Sequence, residues 1–248
     1  MIKILAIGNS FSQDATRYLK AIADSVEIDT KIVNLYIGGC PLELHAQHVQ
    51  DGEAAYVYQL NGEVTERYIS LKEALEEEEW DVVTVQQASG YSGIPESYEP
   101  YGSTLLEYVH SFVPNAKIWF HETWAYETDS VHRHFEWYGN SQQTMFERIR
   151  AAARAFAQKH QLAVIPCGEV IQALRQIQPF DYQNGGLSLC RDGFHMSLDY
   201  GRYTLAAVWL EMLLGGNVLD SEFMPEGTDP IMIAQIRREV HRRCQEKV

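Results

Sequence analysis

The chain has 248 residues, 46% of them apolar, enough for one α/β layer fold with a sizeable core and too many for a disordered polymer. Lysine and arginine number 20 against 34 aspartates and glutamates, a formal charge of −14. That excess of carboxylates disfavours nucleic acid and anionic membrane surfaces as partners, because both would be approached against repulsion.

Residues 2–7 form a continuous apolar run, as expected of a central parallel strand buried on both faces. The run carries one lysine and no small-residue cleavage site follows it, so it is read as a strand and not as a signal peptide. Residues 13–26 have helical spacing, with Ala15, Leu19, Ile22, Ala23 and Val26 on one side. Residues 31–37 predict the second strand, 81–86 the third, 117–121 the fourth and 163–166 the fifth. Near 55–69, two runs flank Asn61-Gly62, a pair suited to a positive-φ hairpin turn. Helices are predicted over 70–79, 103–112 and 140–160, and over 200–214 before Gly215-Gly216. A helical tail near 229–248 opens on Asp229-Pro230, an N-cap followed by proline at the first helical position. This alternation predicts a single domain over 1–248, a three-layer α/β/α sandwich around about five parallel strands. No apolar run reaches the roughly 18 residues of a membrane span. Cys40, Cys167, Cys190 and Cys244 are scattered without a Cys-x-x-Cys pair, which suits reduced thiols and a cytoplasmic location.

In an open parallel sheet, ligands bind beyond the carboxyl ends of the strands. The segments there are Gly8-Asn9-Ser10-Phe11-Ser12, Gly38-Gly39-Cys40, Gln86-Gln87-Ala88-Ser89-Gly90 and His121-Glu122-Thr123-Trp124-Ala125-Tyr126. Asp192-Gly193-Phe194-His195 lies in a loop before the last core helix. Singly, each has a plain reading as a helix cap, a turn or a polar strand end. Together they supply a hydroxyl, an imidazole with a carboxylate three residues before it, and candidate N–H donors. Acyl transfer needs those parts: a base to activate the hydroxyl, a carboxylate to fix the base's tautomer, and donors for the oxyanion.

These blocks resemble the SGNH or GDSL-type serine hydrolases, and more closely the DUF4886 branch, over nearly the whole chain. The resemblance implies a flavodoxin-like strand order 2-1-3-4-5, a Ser10 nucleophile (not Ser12) and the partners Asp192 and His195. It places the second-block oxyanion donor on Gly38 or Gly39, with Gly39 preferred, beside the N–H of Ser10. The third block departs from the common Gly-x-Asn-Asp. A glutamine amide can donate from one methylene further away, and Gln87 is preferred over Gln86 on a likeness to carbohydrate O-acetylesterases. The implied activity is a serine esterase acting on small acyl esters, acetyl groups on a sugar among them. The alternative is a non-catalytic carbohydrate-binding descendant.

Rival motifs are weaker. The chain has no Gly-x-Ser-x-Gly elbow, no Gly-Lys-Ser/Thr phosphate loop and too few glycines for a dinucleotide fingerprint. His45 and His48 share helical spacing and His132 and His134 strand spacing, but neither pair has a familiar set of further ligands, so no metal is expected. Hydrolysis runs on water, so no cofactor is implied. The segment containing Trp119, Trp124, Tyr126, Phe135 and Trp137 is rich in aromatics, and Trp124 and Tyr126 are the candidates for a substrate-pocket wall.

Overall fold

The structure is a computed structural model that describes residues 1–246. In chain order it begins β1 (Ile2–Gly8), α1 (Ser10–Thr16), α2 (Leu19–Asp24), β2 (Thr30–Tyr36) and α3 (Leu42–Asp51). The hairpin β3 (Tyr56–Leu60) and β4 (Glu63–Ile69) follows, then α4 (Leu71–Glu76), β5 (Val82–Val85), α5 (Tyr101–Phe112) and β6 (Lys117–His121). The chain continues with α6 (Gln142–His160), β7 (Ala163–Ile165), α7 (Cys167–Leu174), α8 (Tyr200–Leu214) and α9 (Pro230–Gln245).

The seven strands of the described residues form one sheet in the order β4-β3-β2-β1-β5-β6-β7. From β2 to β7 every pairing is parallel, with Ile4 opposite both Ile32 and Val82. These are the five expected strands in the expected order. The hairpin is antiparallel and extends the sheet beyond β2, so the sheet is mixed. Asn61 and Gly62 carry the positive φ angles of its turn, 51° and 84°.

Period-two alternation divides the core. Ile4 and Ala6 of β1 point to the layer of α1, α2, α7, α8 and α9, whereas Leu5 and Ile7 point to α3, α4 and α5. Nearly all of these side chains are fully buried, so a one-residue slip of β1 would exchange both faces at once. Helix α8 is apolar all round because it is covered by the sheet on one side and α9 on the other. The expected helical tail is α9, capped by Asp229; residues 247 and 248 of that expectation lie outside the described residues.

One element differs where it matters. The helix expected over 13–26 starts earlier, at Ser10, and breaks between Thr16 and Leu19. Asn9 is its N-cap, which puts Ser10 in the first turn at the carboxyl end of β1. Among the described residues no helix is long and apolar enough to cross a membrane, and all four cysteines are buried and free.

Candidate active site

The turn after β1 commits Ser12 and frees Ser10. Ser12 Oγ accepts from the Asn9 N–H (3.1 Å) and donates to the Asn9 carbonyl (2.9 Å), the closed arrangement of a helix cap. Asn9 Oδ1 accepts from the N–H of Phe11 (2.9 Å). Gly8 lets these groups close up, because a Cβ there would lie 2.4 Å from Ser12 Oγ and 3.0 Å from the Gln86 amide. Ser10 remains half-buried, its Oγ 2.8 Å from His195 Nε2.

His195 is held by a tight turn. Asp192 Oδ2 lies 2.7 Å from His195 Nδ1, while Oδ1 accepts from the N–H groups of His195 (2.8 Å) and Phe194 (3.2 Å). The acceptor carboxylate places the imidazole proton on Nδ1 and leaves the Nε2 lone pair toward the serine hydroxyl. Burial raises the Asp192 pKa, but the hydrogen bonds from His195 and Phe194 outweigh it and hold the carboxyl below its usual range. Asp192 is therefore ionised at neutral pH.

The histidine loop is fastened to the serine's own helix. Asp14, four residues after Ser10 and fully buried, accepts from the Met196 N–H at 2.9 Å. The same carboxylate takes Arg202 Nε (2.7 Å) and Arg191 Nη1 (3.1 Å). Arg191 in turn donates to the Met196 carbonyl, and its own N–H bonds the His195 carbonyl at 2.9 Å. On the other side, the Trp124 indole N–H donates to the Phe194 carbonyl (2.7 Å) and the Glu127 N–H to the Gly193 carbonyl (2.7 Å).

Gly38 and Gly39 form the tip of a turn closed by Cys40 N–H to Ile37 O at 3.2 Å, with Gly39 at φ 64°. Asn9 Nδ2 donates to the Cys40 carbonyl (3.1 Å), tying this turn to the residue before Ser10. Among the hydrogen bonds of the described residues, none uses the N–H of Ser10, Gly38 or Gly39. His45 lies beneath, its Nδ1 2.8 Å from the Tyr56 hydroxyl; burial pushes its pKa down to about 3, so it is a neutral packing group.

Gln87 is not brought to this site as a donor. Its Nε2 donates to the carbonyl (2.9 Å) and hydroxyl (3.1 Å) of Ser97, and its Oε1 accepts from the N–H of Leu42 (3.0 Å) and Ala88 (2.7 Å). Both amide hydrogens are used, so the expected oxyanion role has no proton left to perform it. Gln86 is the residue that reaches the serine turn: Nε2 donates to Asn9 Oδ1 (2.9 Å) and Oε1 faces His121 Nδ1 (3.0 Å). Strand alternation carries the reason. Val83 and Val85 face α3 and α5, so residue 87 follows them, while 86 follows Val82 toward α1. Gln87→Ala is therefore expected to cost about 1–3 kcal/mol of stability through the stranded Leu42 and Ser97 groups. A urea titration with an esterase assay checks this; a loss of activity of roughly 100-fold or more in a stable variant would restore the oxyanion role.

Trp124 and Tyr126 are likewise corrected as pocket walls, because both are fully buried. Trp124 stacks on Phe11 with centroids 4.1 Å apart, and Tyr126 packs on Phe194 and His132 while its hydroxyl meets Ser89 Oγ at 2.9 Å. They support the histidine loop from behind. Aromatic groups that remain open on this side include Phe194, His132, His134, Trp137 and Tyr91. Two of the recesses formed bear on the site. One of about 300 Å³ adjoins Asp192, lined also by Asp129, Tyr182 and Arg191. The larger, about 860 Å³, lies at the amino ends of β1, β5 and β6, the opposite edge of the sheet from Ser10.

A family model described as "Domain of unknown function (DUF4886)" matches residues 3–241. The chain belongs to the DUF4886 family. A DUF4886 family protein from Bacteroides uniformis is 38% identical in sequence, covering 97% of this chain and 93% of that one, with a TM-score of 0.91. Beyond the DUF4886 family the likeness is of fold. A Slackia heliotrinireducens protein, provisionally described as an SGNH hydrolase, is 21% identical over 85% of this chain and 97% of its own, with a TM-score of 0.57. A catalytic mutant of an acetylxylan esterase from Geobacillus stearothermophilus is 15% identical over 85% of this chain and 93% of its own, with a TM-score of 0.53. No curated protein matches the sequence. DUF4886 proteins thus share the architecture of SGNH esterases and lipases.

Proposed function

We propose that this DUF4886 protein is a serine esterase acting on small acyl esters, acetyl groups on carbohydrate among them. The observation that carries the reading is the unbroken relay from Asp192 through His195 to Ser10, with contacts of 2.7 and 2.8 Å. Ser10 Oγ attacks the ester carbonyl as His195 Nε2 takes its proton, and Asp192 stabilises the imidazolium. The unused N–H groups of Ser10 and Gly39 hydrogen-bond the tetrahedral oxyanion. The intermediate collapses by breaking the bond to the alcohol oxygen, which receives the proton back from His195. Water, deprotonated by His195, then releases the acid from acyl-Ser10. Ester and water become acid and alcohol, with no redox step.

The small-acyl preference rests on the resemblance to carbohydrate acetylesterases and on the partly open Phe194 ring beside His195. A chain-length series of p-nitrophenyl esters tests it, with acetate and butyrate expected to give the highest kcat/KM. A preference for acyl chains of about eight carbons or more, the length a lipid-type entrance would serve, would overturn it. Binding of acetylated sugar without any turnover would instead favour a non-catalytic carbohydrate-binding descendant.

A further inference from the structure

The open aromatic groups form a connected surface. From His195 the rings run to Phe194 (centroids 4.1 Å apart), then His132 (4.7 Å), then His134 (5.1 Å). His134 lies flat on Trp137, 4.0 Å away and 15° from parallel, with the Tyr91 ring edge-on to both at 5.4 and 5.5 Å. Trp137 is 41% exposed, more than any other tryptophan among the described residues.

Three loops build this surface, and the turn that carries Trp137 is fixed from below. His134 and Trp137 lie on a 3-10 turn, Arg133–Tyr138, capped by His132, whose Nδ1 accepts from the His134 N–H at 3.2 Å. Tyr138 donates to the Gly90 carbonyl (2.8 Å) and accepts from the Gly93 N–H (3.0 Å), which locks the turn onto the loop after β5. Gly90 has to be glycine here, because a Cβ would lie 1.9 Å from His134 Nδ1. Burial holds the pKa values of His132 and His134 below the ordinary imidazole value, so both rings are neutral near pH 7. The indole is thus held in a fixed orientation within a contiguous patch of partly open rings, Tyr91, His134, His132 and Phe194, and is not an isolated surface side chain.

We propose that Trp137, with His134 and Tyr91, is a saccharide subsite that holds the alcohol portion of the substrate beyond the scissile ester. The occupant follows from the chemistry of the rim. The apolar C–H face of a pyranose with equatorial hydroxyls stacks on an indole, and its hydroxyls need donors and acceptors at the edge. The Tyr91 ring meets the indole edge-on, Arg133 Nε donates to His134 Nε2 (3.2 Å), and Glu136 precedes Trp137 in the same turn, with Arg133 and Glu136 exposed. An acyl chain would instead need a walled apolar groove, and the surface beside Trp137 carries these charges. Because Phe194, His132 and His134 separate Trp137 from His195, the sugar on Trp137 is not the acetylated unit but one further along an oligosaccharide. The proposal rests on the esterase reading for the direction of the substrate, and on the surface alone for sugar binding.

The probes are xylotetraose, acetylated xylotetraose and p-nitrophenyl acetate, used with the wild-type chain and with Trp137→Ala and Trp137→Phe. Calorimetric titration is expected to show xylotetraose binding to the wild type, weakened roughly tenfold in Trp137→Ala and less in Trp137→Phe. The KM for acetylated xylotetraose should rise by a similar factor at unchanged kcat, with p-nitrophenyl acetate kinetics unaffected. Equal effects on p-nitrophenyl acetate and on the sugar ester, or no xylotetraose binding at millimolar concentration, would overturn the proposal. Trp137-dependent sugar binding in a chain that hydrolyses neither ester would leave the subsite standing and remove the esterase reading.

Discussion

Replacing Ser10 with alanine is expected to lower hydrolysis of p-nitrophenyl acetate by about 10⁴-fold or more, at nearly unchanged melting temperature. The hydroxyl has one partner, His195 Nε2, and it is the group that forms the covalent bond. Alanine is a good residue in a first helical turn, so the fold loses nothing it depends on. Ser12→Ala is the control that separates chemistry from capping. Ser12 holds both backbone groups of Asn9, and its loss should cost about 1 kcal/mol of stability while the chemical step survives. The opposite pattern, with Ser12 essential and Ser10 dispensable, would contradict the assignment.

The second large effect is expected at Asp14, a residue that touches no substrate. Its carboxylate is the joint between the nucleophile helix and the histidine loop, since it takes the Met196 N–H and two guanidinium groups at once. Asp14→Asn keeps the volume but removes the charge, leaving Arg191 and Arg202 partly unpaired. Breaking a buried ion pair costs roughly 3–5 kcal/mol, and the partial exposure of both arginines puts the expectation nearer about 2–3 kcal/mol. For a chain of this size that is a fall of about 5–10 °C in Tm. A displacement of about 1 Å between Ser10 and His195 would take a further 100-fold from kcat. Thermal denaturation and steady-state kinetics below the new Tm check both parts, with KM expected to stay near the wild-type value. Arg202→Lys, which keeps the charge, should show a milder form of the same pattern. A stable Asp14→Asn variant with full kcat would make the joint dispensable for catalysis.

The parallel core could be read from composition because a strand buried on both faces is a run of apolar residues, and β1 and β5 are such runs. The hairpin followed from Asn61-Gly62, whose backbone preference is local. Ser10, Asp192 and His195 were found through motif resemblance, and the structure brings all three within hydrogen-bond reach of one another in series. What pattern reasoning missed depends on contacts distant in sequence. Asp14 reads as one more polar helix residue until Arg191, 177 positions away, closes on it. Gln87 was preferred by chemical analogy, although strand alternation from Val83 and Val85 already pointed Gln86 toward the serine. Trp124 and Tyr126 were read from aromatic richness, which does not distinguish a ring under a loop from a ring on its surface. Trp137, in the same segment, is exposed.

The most direct measurement is to treat the pure chain with a fluorophosphonate probe and locate the adduct by peptide mass spectrometry. A fluorophosphonate phosphonylates a serine only where a base removes the hydroxyl proton and donors stabilise the developing oxyanion. The expected result is stoichiometric modification of Ser10, abolished in Ser10→Ala and retained in Ser12→Ala. No adduct on the folded wild-type chain, or an adduct on any other residue, would contradict the esterase assignment.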